Sequence, residues 1–275
     1  MSILDEIVAH KRREVADAVA AVSPAAMRAR ALAAPPARDF AAAITGPPVQ
    51  IIAEVKRASP ARGVIRQDAD PAAAARRYEA AGAAAVSVLT DRRYFNGSAE
   101  DLEAVRAAVR LPLLRKDFVV DAYQVYEARA LGADAVLLIA GSIPSADLAA
   151  LGRLAVDLGM TPLFEAHAGP EVDEVLACGA RVIGINNRNL KTLAVDLDTT
   201  GRLRPRIPAG IIVIGESGIE TPDDVRRVCR AGVNALLIGT ALMASPDPSA
   251  HLRALRAAAE RAGAAAAEQT GGART

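Results

Sequence analysis

Four segments of the chain share one pattern: YEAAGAAAVSVL (Tyr78–Leu89), YEARALGADAVLLI (Tyr126–Ile139), VLACGARVIGI (Val175–Ile185) and VCRAGVNALLIG (Val228–Gly239). Each reads as the end of a helix, a glycine, then a short apolar strand. Glycine takes the left-handed backbone position that ends a helix without a Cβ clash. Gly82, Gly132, Gly179 and Gly232 recur at about 50 residues, close to two strand–helix units of a barrel or one long unit of another repeat.

Apolar runs fill the gaps and bring the strand count to eight: 51–55, 85–89, 111–115, 135–139, 162–165, 182–185, 211–215 and 236–238. They are continuous rather than alternating, as expected of parallel strands covered on both faces. Helical patterns lie between them over 70–81, 98–109, 123–131, 145–159, 170–178 and 221–231, with a short one at 196–203. Eight strands alternating with helices predict an α/β fold, a (β/α)8 TIM barrel. A doubly wound open sheet is the rival, weakened by the lack of GxGxxG after the first strand.

The barrel is expected over 49–262, behind an N-terminal helical extension (1–48) packed on it. Ser2 with Asp5 resembles a capping box, and Leu4, Ile7, Val8 and Val15 form an apolar stripe. Ser23-Pro24 opens a second helix and Pro35-Pro36 closes it. A short piece over 38–45 precedes the first strand. A final amphipathic helix is expected at 251–262, and residues 263–275 are expected to be a disordered tail.

The charge is nearly balanced, 33 basic against 32 acidic residues, which implies neither a nucleic-acid surface nor a membrane face. The N-terminus becomes charged within five residues, so neither a signal peptide nor a membrane span is expected there. Cys178 and Cys229 read as free thiols of a reducing compartment, and a cytoplasmic location is the default. No Asp/His set has metal-ligand spacing, so neither a metal nor another cofactor is expected. With 3% aromatics and no Trp, the core must be built from Ala, Val, Leu and Ile.

The carboxyl ends of the strands form the active site of such a barrel. Here they carry Glu54 and Lys56, Lys116, Glu165, Asn186 with Arg188, Glu216 with Ser217 and Gly218, and Gly239 with Thr240. Glu54 and Lys56 are two apart and face the same side. Two lysines and three carboxylates converging on one mouth must be paired or used, and close pairing separates pKa values for acid and base steps. The loops after the seventh and eighth strands, ESGIETPDD and IGTALM, offer backbone N–H groups for a phosphate. SPARG (Ser59–Gly63) reads equally as a lid or a plain loop. Phe95 and Phe118 suit either a flat substrate or ordinary packing.

Several motifs together resemble the indole-3-glycerol-phosphate synthase family: IAEVKRASP (Ile52–Pro60), FNGS (Phe95–Ser98), LRKDF (Leu114–Phe118), LFEAH (Leu163–His167), IGINNRNL (Ile183–Leu190), GESGI (Gly215–Ile219) and IGTALM (Ile238–Met243). Their order and spacing match over about residues 1–255. The resemblance implies a carboxy-lyase of tryptophan biosynthesis. Its small-molecule phosphorylated substrate is 1-(2-carboxyphenylamino)-1-deoxyribulose 5-phosphate, which closes to indole-3-glycerol phosphate with loss of CO2 and water. It implies Lys116 as the general acid on the ketone and Glu165 as partner of the cationic intermediate. Glu54 and Lys56 fall at the amine and carboxylate end. Asn186 orients the glycerol hydroxyls and Lys116, Arg188 holds the anionic substrate, and Glu216 poises the network. Ser59, Ser217, Gly218, Gly239 and Thr240 receive the phosphate, with Phe118 against the substrate. Arg115 and Asp117 face elsewhere and hold the strand end. A monomer or weak homodimer is expected, with no nucleic-acid or membrane partner. Ala166 and Thr240 depart from the family's usual residues and bear on packing or phosphate contacts. Two alternatives stay open: a related phosphosugar enzyme such as phosphoribosylanthranilate isomerase, and a non-catalytic barrel that binds a phosphorylated ligand.

Overall fold

A computed structural model describes residues 3–189 and 192–271 of the chain. Eight parallel strands close into a barrel: β1 (Gln50–Val55), β2 (Ala85–Leu89), β3 (Leu113–Lys116), β4 (Ala135–Ile139), β5 (Thr161–Ala166), β6 (Val182–Asn186), β7 (Ile212–Glu216) and β8 (Ala235–Ile238). Each strand pairs with its neighbour in sequence, and β1 closes the ring on β8, with Gln50 beside Ala235 and Ala53 beside Ile238. The helices longer than five residues are α1 (Ile3–Ala21), α2 (Pro24–Ala33), α3 (Pro71–Ala80), α4 (Ala99–Ala108), α5 (Ala122–Ala130), α6 (Ser145–Asp157), α7 (Gly169–Ala177), α8 (Asp198–Leu203), α9 (Pro222–Cys229) and α10 (Pro248–Gly271). The four glycines of the repeat have φ between 76° and 87°, the left-handed conformation that stops each helix.

Side chains alternate across each strand and sort into two cores. Ile51, Ala53 and Val55 face the helices, whereas Ile52 joins Leu114, Leu137, Leu163, Ile214 and Leu237 inside the barrel. Phe40 and Ile44, from the one-turn helix Phe40–Ala43 and its end, belong to the inner cluster and plug it from below. The extension thus contributes to both ends of the barrel, because Ile3, Leu4 and Ile7 of α1 line the cavity at the opposite mouth.

Three local expectations need correction. The third strand begins at Leu113, not 111, because Pro112 has no N–H for the ladder; its carbonyl instead accepts from the Val86 N–H at 3.0 Å. The final helix, expected over 251–262, spans Pro248–Gly271, since the run Ala264–Ala267 has high helix propensity that outweighs Gly263. Residues 272–275 and the Ser2 cap lie outside the described residues. The segment after β1, read as a lid or a plain loop, is a small hairpin pairing Ala58 with Val64 and Ser59 with Gly63.

Candidate active site

Alternation that places Ile52 and Leu114 in the lower core places Glu54 and Lys116 two residues higher, at the mouth. All thirteen site residues expected from the sequence line one cavity there. Lys116 is the hub. Its Nζ lies 2.8 Å from Glu165 Oε2 and 2.5 Å from Glu216 Oε2. Asn186 donates from Nδ2 to Glu165 Oε1 at 3.0 Å, fixing that carboxylate from its other side. Burial alone would lower the Lys116 pKa, but the two carboxylates outweigh it and hold the ammonium charged above the ordinary lysine value.

The carboxylates differ. Burial works against ionised Glu165, yet Lys116 and the amide of Asn186 hold its pKa below the ordinary value. Burial pushes Glu216 up to about 8, and the neighbouring charge of Glu165 adds to this, against the attraction of Lys116. Glu216 Oε1 is buried and has no hydrogen-bond partner among the described residues. One ammonium between two buried carboxylates favours a single proton on the pair, carried at Glu216.

A second pair stands across the cavity. Lys56 Nζ is 2.8 Å from Glu54 Oε1, and Ser87 Oγ donates to Glu54 Oε2 at 3.2 Å from the adjacent position on β2. The mouth therefore combines two lysines with three carboxylates. At its apolar side, the rings of Phe95 and Phe118 lie 6.1 Å apart, tilted by 41°, and both face the cavity.

The remaining residues sit at loop backbones. Ser217 adopts a left-handed conformation (φ 66°) immediately after β7, a costly one for a side-chain-bearing residue. It turns the chain so that Ser217 and Gly218 line the cavity beside Gly239 and Thr240 of the next strand end. Ser59 Oγ accepts from the Arg62 N–H at 3.2 Å, and Arg62 pairs with Glu220, linking the hairpin to the loop after β7. Arg188 donates from Nη1 to the Leu193 carbonyl at 2.7 Å. Burial lowers its pKa and nearby Arg62 adds to the effect, so an anion at this site relieves an unfavourable positive environment. Arg115, absent from the cavity lining, pairs at 3.2 Å with Asp117, which borders the cavity.

Sequence reasoning missed Ser87 and Lys11. A serine within an apolar strand carries no polar pattern, and a lysine in an amphipathic helix reads as a solvated one. Asn187, given no role from sequence, accepts from Thr200 N at 3.1 Å and Oγ1 at 2.8 Å, which anchors the loop after β6. Among the described residues no group of three or more His, Cys, Asp or Glu has the arrangement of a metal site.

Fold and site define a (β/α)8-barrel enzyme with an acid–base cluster at the carboxyl ends of its strands. The family model described as indole-3-glycerol phosphate synthase matches residues 4–255. A protein of that name from Azoarcus sp. (strain BH72) is 53% identical over 259 residues, covering 92% of this chain and 98% of the relative. Indole-3-glycerol phosphate synthase 1 from Streptomyces coelicolor is 47% identical, covering 94% and 97%. The chain belongs to the indole-3-glycerol phosphate synthase family. Among solved structures, thiamine phosphate pyrophosphorylase from Pyrococcus furiosus aligns with a TM-score of 0.60 at 18% identity, over 78% of this chain and 96% of that one, a likeness of fold alone.

Proposed function

We propose that the chain closes 1-(2-carboxyphenylamino)-1-deoxyribulose 5-phosphate to indole-3-glycerol phosphate, releasing CO2 and water, as a carboxy-lyase of tryptophan biosynthesis. The observation that carries the reading is the position of Lys116, a protonated donor held between Glu165 and Glu216 at the mouth. The ring carbon bearing the carboxylate attacks the C2′ ketone while Lys116 gives its proton to the ketone oxygen. The ring and nitrogen then carry positive charge, which ionised Glu165 stabilises. Departure of CO2 returns its electron pair to the ring. Loss of the C2′ hydroxyl as water, with loss of a proton, completes the indole. Glu54 and Lys56 serve this dehydration and hold the amine and carboxylate end of the substrate.

Asn186 keeps Glu165 oriented and binds the glycerol hydroxyls. Glu216 sets the position of Lys116, and Arg188 meets substrate negative charge. Phe118 packs on the aryl ring. Ser59, Ser217, Gly218, Gly239 and Thr240 receive the phosphate. Holding both reacting carbons of one molecule in a closed cavity favours intramolecular ring closure. The enzyme acts in the cytoplasm as a monomer or weak homodimer, with no nucleic-acid or membrane partner. No helix among the described residues is long and apolar enough to cross a membrane.

The test is indole fluorescence from the purified chain supplied with the carboxyphenylamino substrate. Wild type should turn over, and Lys116→Ala should lose roughly 10³-fold in kcat, within the range for removing a positioned acid. A folded wild type without turnover would overturn the reaction. Equal turnover in both would remove Lys116 from its role.

A further inference from the structure

Behind the catalytic cluster lies a second buried ion network. Lys11 of α1 has a side chain only 5% exposed, with Nζ 2.9 Å from Asp91 Oδ2, 2.9 Å from Asp117 Oδ1 and 2.6 Å from Glu14 Oε2. Asp91 and Asp117 are themselves buried, and they follow β2 and β3 respectively. Burial disfavours the Lys11 charge, but Asp117 and Asp91 outweigh it and hold the lysine above its ordinary pKa. Replacing Lys11 alone by an apolar residue would leave Asp91 and Asp117 buried without their shared cation, so the three groups act as one unit.

Asp91 Oδ1 accepts from the Tyr94 N–H at 2.7 Å and caps the one-turn helix Arg92–Phe95, which delivers Phe95 to the cavity. Asp117 Oδ1 accepts from the Phe118 N–H at 2.8 Å, and its Oδ2 accepts from Thr90 Oγ1 at 2.6 Å and Arg115 Nη2 at 3.2 Å. Asp117 thus fixes the backbone on either side of the step from Lys116 to Phe118. Among the described residues, Lys11 is the cation whose Nζ contacts both aspartates.

We infer that Lys11 is a positioning residue, which locks the ends of β2 and β3 so that Phe95, Phe118 and Lys116 face the substrate in a fixed relation. The inference rests on the proposed reaction, since it names what sets the aryl pocket and the acid of that same site. Lys11 touches neither cavity nor substrate, and it acts through Asp91 and Asp117. Among the described residues, the phosphate-receiving loops after β7 and β8 share no bond with this network. A local role therefore changes the aryl and ketone side and leaves the phosphate side alone, whereas general loosening changes both.

The full chain carrying Lys11→Met is compared with wild type and Lys11→Arg, at a temperature where circular dichroism shows all three folded. The expected result for Lys11→Met is a fall in kcat/KM of about tenfold or more, with inhibition by inorganic phosphate unchanged within about twofold. Lys11→Arg, which keeps the charge, should recover most of the loss. Asp91→Asn keeps the Oδ1 cap and removes one partner of Lys11, so it carries the same expectation where Lys11→Met fails to fold. Unchanged kcat/KM in the folded variants overturns the inference, as does a parallel loss of phosphate inhibition. Absence of turnover by wild type overturns the proposed reaction instead.

Discussion

Among the described residues the Glu216 side chain bonds through Oε2 alone, to Lys116. Gly184, on the adjacent β6, has no Cβ where one would lie 2.0 Å from Glu216 Oε1. Gly184→Ala should push Glu216 off Lys116 and lower kcat about 10- to 100-fold, measured by the indole assay on folded protein. Its pKa makes a second prediction. Glu216 rises from 4.5 to about 8 in the folded chain, so the folded state binds this proton more tightly than the unfolded state. That stabilisation is complete below pH 4.5 and is lost as pH rises through 8. Glu165 is held low, so its contribution is present above the ordinary carboxylate value and lost only in acid. Melting temperature should therefore decline across the window from pH 4.5 to 8, and Glu216→Gln should flatten the decline. Glu216 itself is legible in the sequence because GES ends an apolar run. The need for glycine at 184 is not, since it arises from a carboxylate on the neighbouring strand. Lys11 is illegible for the same reason: its partners lie 80 and 106 residues away.

At the level of elements, α6 shows how closely the helices sit on the sheet. A Cβ on Gly152 would lie 2.6 Å from Phe164 Cζ. Gly152→Ala gains about 1 kcal/mol of helix propensity, but overpacking the core should cost about 1–3 kcal/mol, giving a net loss in denaturant unfolding. At α2, Ser23 Oγ accepts from the Ala26 N–H, and Ser23→Ala should cost about 1 kcal/mol with kcat unaltered. The capping serine and the following proline make that helix readable in advance. All eight strands are readable within a few residues, because buried parallel strands form unbroken apolar runs between glycine stops. The hairpin after β1 is not. It is held by Arg57, which reaches Asp101 on α4 at 2.5 Å and the Ala69 carbonyl at 3.1 Å, contacts that no local pattern encodes.

Over the whole molecule, ring closure between β1 and β8 leaves the barrel without a free strand edge. The large apolar side chains that face solvent among the described residues, Leu32, Val64, Val156 and Val195, come from four separate segments. Light scattering on the purified chain should accordingly give a mass near the 28.5 kDa of one copy. Within the acid–base cluster three carboxylates share two ammonium groups, and this reaches beyond the site to the solvent around it. A substrate bearing phosphate and carboxylate adds further negative charge beside Glu216, which raises its proton affinity again. Near pH 8, where Glu216 is only partly protonated, ligand capture becomes a proton-consuming event. Titration calorimetry in buffers of differing ionisation enthalpy should then give different heats for the same association, and Glu216→Gln should bring those heats together. The buffer, through this one carboxyl group, is a silent co-substrate of binding.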